Sequence, residues 1–236
     1  MNKNEFIEEV KKLNINITDK ELNDLNIYYK ELSKYNSHTN ITAIKEENSV
    51  YLLHFYDSLT ISKVIDLNNN YKILDIGSGA GFPGIVLKIF FPNLQLTVLD
   101  SNNKKTKFLN LICDKLNLKD VEVINDRSES YIKEKRNSFD VVTGRAVSHL
   151  RILAELSLPF LKNDGLFIAM KGNIEEELEE SIKTLQVLNS KIIKVEEFEL
   201  PENKSKRSLI VIKKCKEIDK KYPRSYNQIL QKPLVK

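Results

Sequence analysis

Residues 73–82, Ile-Leu-Asp-Ile-Gly-Ser-Gly-Ala-Gly-Phe, place an acid, Asp75, just ahead of three glycines at alternating positions, Gly77, Gly79 and Gly81. Residues 72–76 are a short apolar run around Asp75, and residues 84–91, after Pro83, are long enough for about two helical turns. The order is therefore strand, glycine turn, helix. Glycine accepts positive φ without steric cost and lets a ligand approach bare backbone. The first turn of the following helix adds N–H groups that have no intrahelical partner. Such a turn suits a polar ligand held by backbone donors.

The spacing selects among ligands. The dinucleotide fingerprint G-x-G-x-x-G requires a third glycine at position 82, where this chain has Phe82. The pattern D-x-G-x-G-x-G resembles instead the turn of S-adenosylmethionine (SAM) methyltransferases. There the glycines admit the methionine and ribose portions, and an acid such as Asp75 fixes the turn or attracts the ammonium group.

Further polar residues fall at strand ends, where open α/β sheets bind their ligands. Asp100 closes the second apolar run about 20 residues beyond the glycines, the place of a ribose-binding acid. It could also cap the helix that begins soon after. Arg145 ends a fourth run, and its planar fork suits a carboxylate. Lys171, followed by Gly172, ends a fifth run on the same rim, where it could meet RNA. His54 and Asp57 lie one helical turn apart on a predicted helix. A histidine–acid pair invites a catalytic reading, but an anchoring role beside the ligand mouth is preferred.

The elements that position these residues alternate. Strands are expected at residues 72–76, 94–99, 121–125, 139–143 and 166–170, with helices at 104–116, 150–161 and 174–188 among them. Strands alternating with helices imply a parallel sheet covered on both faces. Residues 191–198 and 209–213 form two closing strands without a helix between them, so a hairpin is expected. Upstream, residues 4–13 are amphipathic and Thr18–Glu21 has capping-box form. A second helix ending near Tyr35 and a third at 47–61 complete an N-terminal helical extension.

Composition limits the function classes. The 236 residues suit one domain with an appendage, and 41% of them are hydrophobic, enough for a core. No apolar run approaches the ~18 residues of a membrane span, and no signal peptide is evident. Cys113 and Cys215 are the two cysteines and form no metal-ligand pattern, which fits a reduced, cytoplasmic protein without a metal site. The net charge of +4 is uneven. Residues 203–236 hold 11 Lys/Arg against 2 Asp/Glu, net +9, which leaves net −5 for residues 1–202. A basic end of this kind is either a solvated tail or the footprint of a polyanion binder.

Several motifs together resemble the RsmG (GidB) family of bacterial methyltransferases, from about residue 35 to the C-terminus. They are Asn40-Ile41-Thr42-Ala43-Ile44, His54-Phe55-Tyr56-Asp57-Ser58, Gly81-Phe82-Pro83-Gly84, Gly144-Arg145-Ala146-Val147 and Tyr222-Pro223-Arg224. Tyr35-Asn36 stands where the family carries Trp-Asn. The resemblance implies a class I, Rossmann-like α/β fold: a doubly wound, mostly parallel seven-stranded sheet. Residues 1–64 would be the helical extension, 65–216 the methyltransferase domain and 217–236 a basic tail. It implies methyl transfer from SAM to N7 of a guanine in 16S ribosomal RNA, on free RNA or on the small ribosomal subunit or its assembly intermediates, by a monomer. Cofactor contacts are expected from Asp75, Gly77, Gly79, Gly81, Phe82, Asp100, Ser128, Glu129 and Arg145. Lys171, Lys220, Lys221, Arg224 and Lys232 are expected to meet RNA. No general base is named, because guanine N7 already carries a free lone pair.

Two other readings stay open: a SAM enzyme for another RNA or a small molecule, and a non-catalytic RNA-binding assembly protein. The Asn/Asp-Pro-Pro-Tyr/Phe motif of amino-group methyltransferases does not follow the fourth strand. Pro223 and Pro233 imply an extended tail near the cofactor mouth, with Tyr222 or Tyr226 packed on the domain or stacked on a base. Cofactor binding is expected to survive its removal.

Overall fold

The computed structural model describes residues 1–145 and 148–234. Seven strands form one sheet in the order β3-β2-β1-β4-β5-β7-β6. β1 (Lys72–Ile76), β2 (Gln95–Leu99), β3 (Val121–Ile124), β4 (Phe139–Arg145) and β5 (Leu161–Lys171) run parallel. β7 (Lys206–Lys214) is antiparallel to both β5 and β6 (Ser190–Glu199), so the expected closing hairpin is present. The glycine turn, Asp100 and Ser128 follow the carboxyl ends of parallel strands and Arg145 ends one, all on one rim.

Helices cover both faces. On one side, α5 (Gly84–Phe90) and α6 (Asn103–Lys115) share a hydrophobic cluster with α1 (Lys3–Lys12) and α2 (Asp19–Thr39), which contribute Phe6, Leu25, Tyr28 and Leu32. On the other, α8 (Leu150–Ser157) and α9 (Glu175–Val187) pack with Phe139, Phe160, Phe167 and Ile210. The first two helices start at complete capping boxes, Asn2 with Glu5 and Thr18 with Glu21.

Three local expectations need correction. Residues 47–61 do not form one regular helix. α3 (Glu47–Val50) passes into a π-helical stretch at Tyr51–Tyr56, returns to α geometry in α4 (Asp57–Leu59) and leaves through a 3-10 turn at Thr60–Lys63. A further helix, α7 (Ser128–Lys135), follows β3 where no helix was expected; its inward side is only Tyr131 and Ile132, too short a stripe to register as a period. The tail is not extended either. α10 (Tyr226–Gln231) sits between the two prolines, which bound the helix rather than interrupt it, behind a capping box of Ser225 and Gln228.

An ion pair holds the tail down. Glu155 of α8 is 1% exposed. Its Oε1 accepts from the Arg224 backbone N–H at 3.0 Å and from Nε at 2.8 Å, and its Oε2 accepts from Nη2 at 2.7 Å. Ile229 packs beside this pair on Ile152 and Leu156. Arg224→Ala would strand a buried carboxylate, at a cost of about 3–5 kcal/mol. The double variant Glu155→Leu/Arg224→Met removes charge and partner together and should lose clearly less. Denaturant unfolding of both variants checks this; equal losses would show that the pair is not what fastens the tail.

Candidate functional site

The glycine turn is tied to the neighbouring strand before any ligand is considered. Leu99 O at the end of β2 accepts from the N–H groups of Gly77 and Ser78 at 2.8 and 3.2 Å. Gly77, Gly79 and Gly81 all have positive φ, at 66°, 63° and 100°. They differ in what a side chain would meet. At Gly79 a Cβ faces open space, with only Gly77 O nearby at 3.9 Å. At Gly81 it would collide with the Tyr28 hydroxyl and lie 2.8 Å from Ile85 Cγ1. Gly79 therefore keeps backbone open to a ligand, whereas Gly81 lets the turn pack on α2 and α5.

A cavity of about 540 Å³ opens over this turn, bounded by residues 77–80 and Phe82. Neither Asp75 nor Gly81 is part of its wall, which corrects their assignment as contact residues. Asp75 lies under the turn, fully buried, where its Oδ2 accepts from Ser78 Oγ at 2.6 Å and from the Gly84 N–H at 2.9 Å. Oδ1 has no partner. Burial raises this carboxyl to about 6, against the two hydrogen bonds that lower it.

Asp100, just past the end of β2, lines the cavity. Its Oδ2 accepts from the Gly79 N–H at 3.0 Å and its Oδ1 from the Asn102 N–H at 2.8 Å. The Lys105 ammonium also faces Oδ2, at 3.6 Å, beyond hydrogen-bond distance; of the roughly four acceptor positions of a carboxylate, one on each oxygen is therefore not used in a hydrogen bond and could take a diol. Asn102, not Asp100, caps α6, through its own side chain. Beyond Asp100 lies a less polar compartment with Ile76, Leu99, Leu156 and Tyr226 on its walls. Ser128 and Glu129 open α7 there, and the first intrahelical bonds begin only at the amides of Ser130 and Tyr131. Their own N–H groups are thus available for a planar base. The Ser128 hydroxyl is already committed to Leu156 O at 2.7 Å. Tyr226 brings the tail into this wall. Removal of the tail would therefore take away one wall residue of the cavity.

At the other end, Arg145 joins the sheet to the N-terminal helices. The π stretch shifts the backbone pairing, so the Asp57 N–H goes to Leu52 O and His54 O and passes over Leu53 O. Arg145 Nη1 bonds Leu53 O at 2.8 Å and Asp57 Oδ2 at 3.3 Å, and Nη2 meets His54 Nδ1 at 2.9 Å. Asp57 is shared with Arg207, whose Nε lies 3.0 Å from Oδ1. His54 and Asp57 thus meet through Arg145 and not each other. The His54 ring stacks on Phe82 at 4.2 Å, and Tyr28 stacks on Phe82 at 5.4 Å. Burial first, and the Arg145 guanidinium second, push the His54 imidazole down to about 3. Arg145 Nε has no partner among the described residues and remains for an anionic group. Ala146 and Val147 lie outside those residues.

The basic residues divide. Lys171 is held by Ser148 O at 2.6 Å and Glu177 at 2.8 Å, and Arg224 is held by Glu155, so neither is free for phosphate as expected. Lys221 pairs with Asp219 at 3.2 Å on the surface, while Lys220 and Lys232 are exposed and have no ion-pair partner among the described residues. Among the described residues there is no cluster that could hold a metal ion and no helix long and apolar enough to cross a membrane.

Gly79 and Gly81 should respond differently to substitution. Gly79→Val should abolish SAM binding by calorimetry with a modest loss of melting temperature. Gly81→Ala should instead lower the melting temperature sharply; a Gly79→Val protein with full SAM affinity would remove the turn from the site. Asp75 should appear in the pH dependence of stability. Its folded value is raised above the ordinary 3.8, so the native state binds the proton more tightly. The resulting stabilisation is complete below about pH 4 and is lost as pH rises through about 6, on the order of 3 kcal/mol in all. The stability difference between wild type and Asp75→Asn, measured by denaturant at a series of pH values, should follow that curve; a flat difference would contradict it.

Residues 21–210 match the family described as rRNA small subunit methyltransferase G, GidB. The ribosomal RNA small subunit methyltransferase G of Staphylococcus carnosus is 43% identical over 235 residues, covering 98% of this chain and 98% of its own. That of Lactobacillus acidophilus is 43% identical over 241 residues, covering 99% and 100%. Among solved structures, a SAM-dependent methyltransferase from Aquifex aeolicus superposes with a TM-score of 0.56 at 20% identity, over 74% of this chain and 97% of that one. Aeropyrum pernix fibrillarin with bound S-adenosyl-L-methionine gives 0.52 at 14% identity, over 63% and 68%. The fold is that of class I SAM-dependent methyltransferases, and the chain belongs to the rRNA small subunit methyltransferase G family.

Proposed function

We propose that this protein transfers the methyl group of SAM to N7 of a guanine in small-subunit ribosomal RNA. The observation that carries the reading is the order of groups along one cavity: a free guanidinium edge, an open glycine turn, a carboxylate with two vacant acceptor positions, then paired amides in an apolar compartment. That order matches amino acid, ribose and adenine. SAM supplies an electrophilic methyl on a sulfonium, which the N7 lone pair displaces in line to leave S-adenosylhomocysteine. The Arg145 Nε edge would hold the carboxylate, Asp100 the ribose hydroxyls, and the Ser128 and Glu129 amides the adenine edge.

The protein has no proton to remove from N7, and its one histidine in the cavity is unsuited to removing one. Both His54 nitrogens are engaged, Nδ1 with Arg145 and Nε2 with Thr42 Oγ1 at 2.9 Å. Rate acceleration then comes from proximity and alignment. The target base must leave its stack to reach the cavity, so a loop nucleotide is the expected substrate. Lys220 and Lys232 remain as phosphate contacts. The reading includes the division into a helical extension (1–64), a methyltransferase body (65–216) and a basic tail (217–236), and action as a cytoplasmic monomer on RNA within the small subunit or an assembly intermediate.

Labelled SAM incubated with small subunits lacking the modification, followed by mapping of the labelled nucleotide, tests the reaction directly. Label in another nucleotide, or on a base position other than N7, would reject it. Arg145→Ala should reduce kcat/KM roughly 10- to 100-fold, the worth of a charge-assisted hydrogen bond, and Arg145→Lys should rescue little because the fork is lost. Wild-type kcat/KM in Arg145→Ala would take it out of the site.

A further inference from the structure

The loop between α2 and α3 presents one threonine to the cavity with unusual constraint. Asn40, at φ 52°, ends α2 and turns the chain back. Asn36, 3% exposed, then clamps the backbone of Thr42 from both sides: its Nδ2 donates to Thr42 O at 2.9 Å and its Oδ1 accepts from Thr42 N at 3.0 Å. The Ile44 N–H donates to Thr42 Oγ1 at 3.2 Å. The ring of His54 meets the same oxygen from the far side of its contact with Arg145.

These contacts fix the direction of every hydrogen bond. A guanidinium has only donors, so Arg145 Nη2 donates and His54 Nδ1 accepts. The neutral ring therefore carries its hydrogen on Nε2, which donates to Thr42 Oγ1. Both acceptor positions of that hydroxyl are now filled, by His54 and by the Ile44 amide. Its own hydrogen has no acceptor among the described residues, and Thr42 lines the cavity beside His54, Phe82 and Arg145. The cavity thus holds a hydroxyl that can only donate, on a side chain that cannot turn away.

A neutral donor suits a neutral acceptor, and the anionic group of the cofactor is already served by Arg145. On the exposed edge of guanine, N7 and O6 are adjacent acceptors; adenine presents N7 beside an amino donor. A donor-only hydroxyl fits the first edge and repels the second. We propose that the Thr42 hydroxyl donates to O6 of the target guanine, so that it selects guanine over adenine and aims N7 at the methyl group, with His54 and Asn36 as positioning residues. This rests on the reading of guanine N7 as the methyl acceptor.

The test uses the full-length enzyme and small subunits reconstituted with either guanine or 2-aminopurine, which keeps N7 but lacks O6, at the mapped nucleotide. Single-turnover transfer is measured for wild type, Thr42→Val and Thr42→Ser, with SAM affinity by calorimetry. Loss of one neutral hydrogen bond amounts to roughly tenfold. Wild type should therefore fall roughly tenfold on 2-aminopurine, and Thr42→Val roughly tenfold on guanine with little further loss on 2-aminopurine. Thr42→Ser should recover most of the guanine rate, and SAM affinity should stay within about twofold throughout. Additive losses would overturn the proposal, as would a drop in SAM affinity that accounts for the lost rate. A wild type indifferent to O6 overturns it even if the valine variant misfolds. Failure of wild type to methylate guanine N7 at all would count against the reaction itself, whereas an unaffected Thr42→Val on a guanine that wild type does methylate counts against Thr42 alone.

Discussion

The hydrogen bond from Arg145 to the Leu53 carbonyl is the contact on which the rest of the site depends. It exists because six residues, Tyr51–Tyr56, depart from α geometry and leave that carbonyl for a side chain. Through it, the end of β4 is tied to the N-terminal helices beside the cavity. The same guanidinium orders His54, and His54 orders Thr42, so one cation at a strand end sets the hydrogen-bond directions of a loop that begins more than a hundred residues earlier in the chain. Asp57 balances the charge and passes the connection on to Arg207 of β7. Burying such a network is expensive unless every member is paired, and here the pairing is nearly complete.

Much of this was legible in the sequence because it depends on short-range pattern. The glycine turn, the alternation of strands and helices, the capping box at Thr18 and the strand-end positions of Asp100 and Arg145 all follow from periodicity and residue type. What escaped the sequence depends on three-dimensional neighbours. Asp75 and Gly81 have the spacing of ligand contacts, yet only the packing of Tyr28 and Ser78 shows that both face inward. The π stretch has no composition of its own, since Tyr51–Tyr56 would read as an ordinary buried helical turn. The helix α10 was hidden because prolines that bound a helix and prolines that break one look alike along the chain.

The basic C-terminal region shows how far a charge count can mislead. Its net +9 suggests a large field offered to RNA, but the fold spends several of those cations internally. Arg207 pairs with Asp57, Lys213 with Asp164 and Arg224 with Glu155, while Lys214 is wholly buried against Leu161 O at 2.7 Å. Three of these partners belong to the acidic body of the chain, so body and tail neutralise each other across the fold. Apart from the buried Lys214, which is held by uncharged oxygens, Lys204, Lys206, Lys216, Lys220 and Lys232 are the cations of this region left without an ion pair among the described residues. The tail's first role is therefore structural: through Arg224 and Ile229 it fastens to α8, and through Tyr226 it closes the apolar end of the cavity. Whatever RNA contacts the remaining lysines make are built on a segment that also lines the cavity.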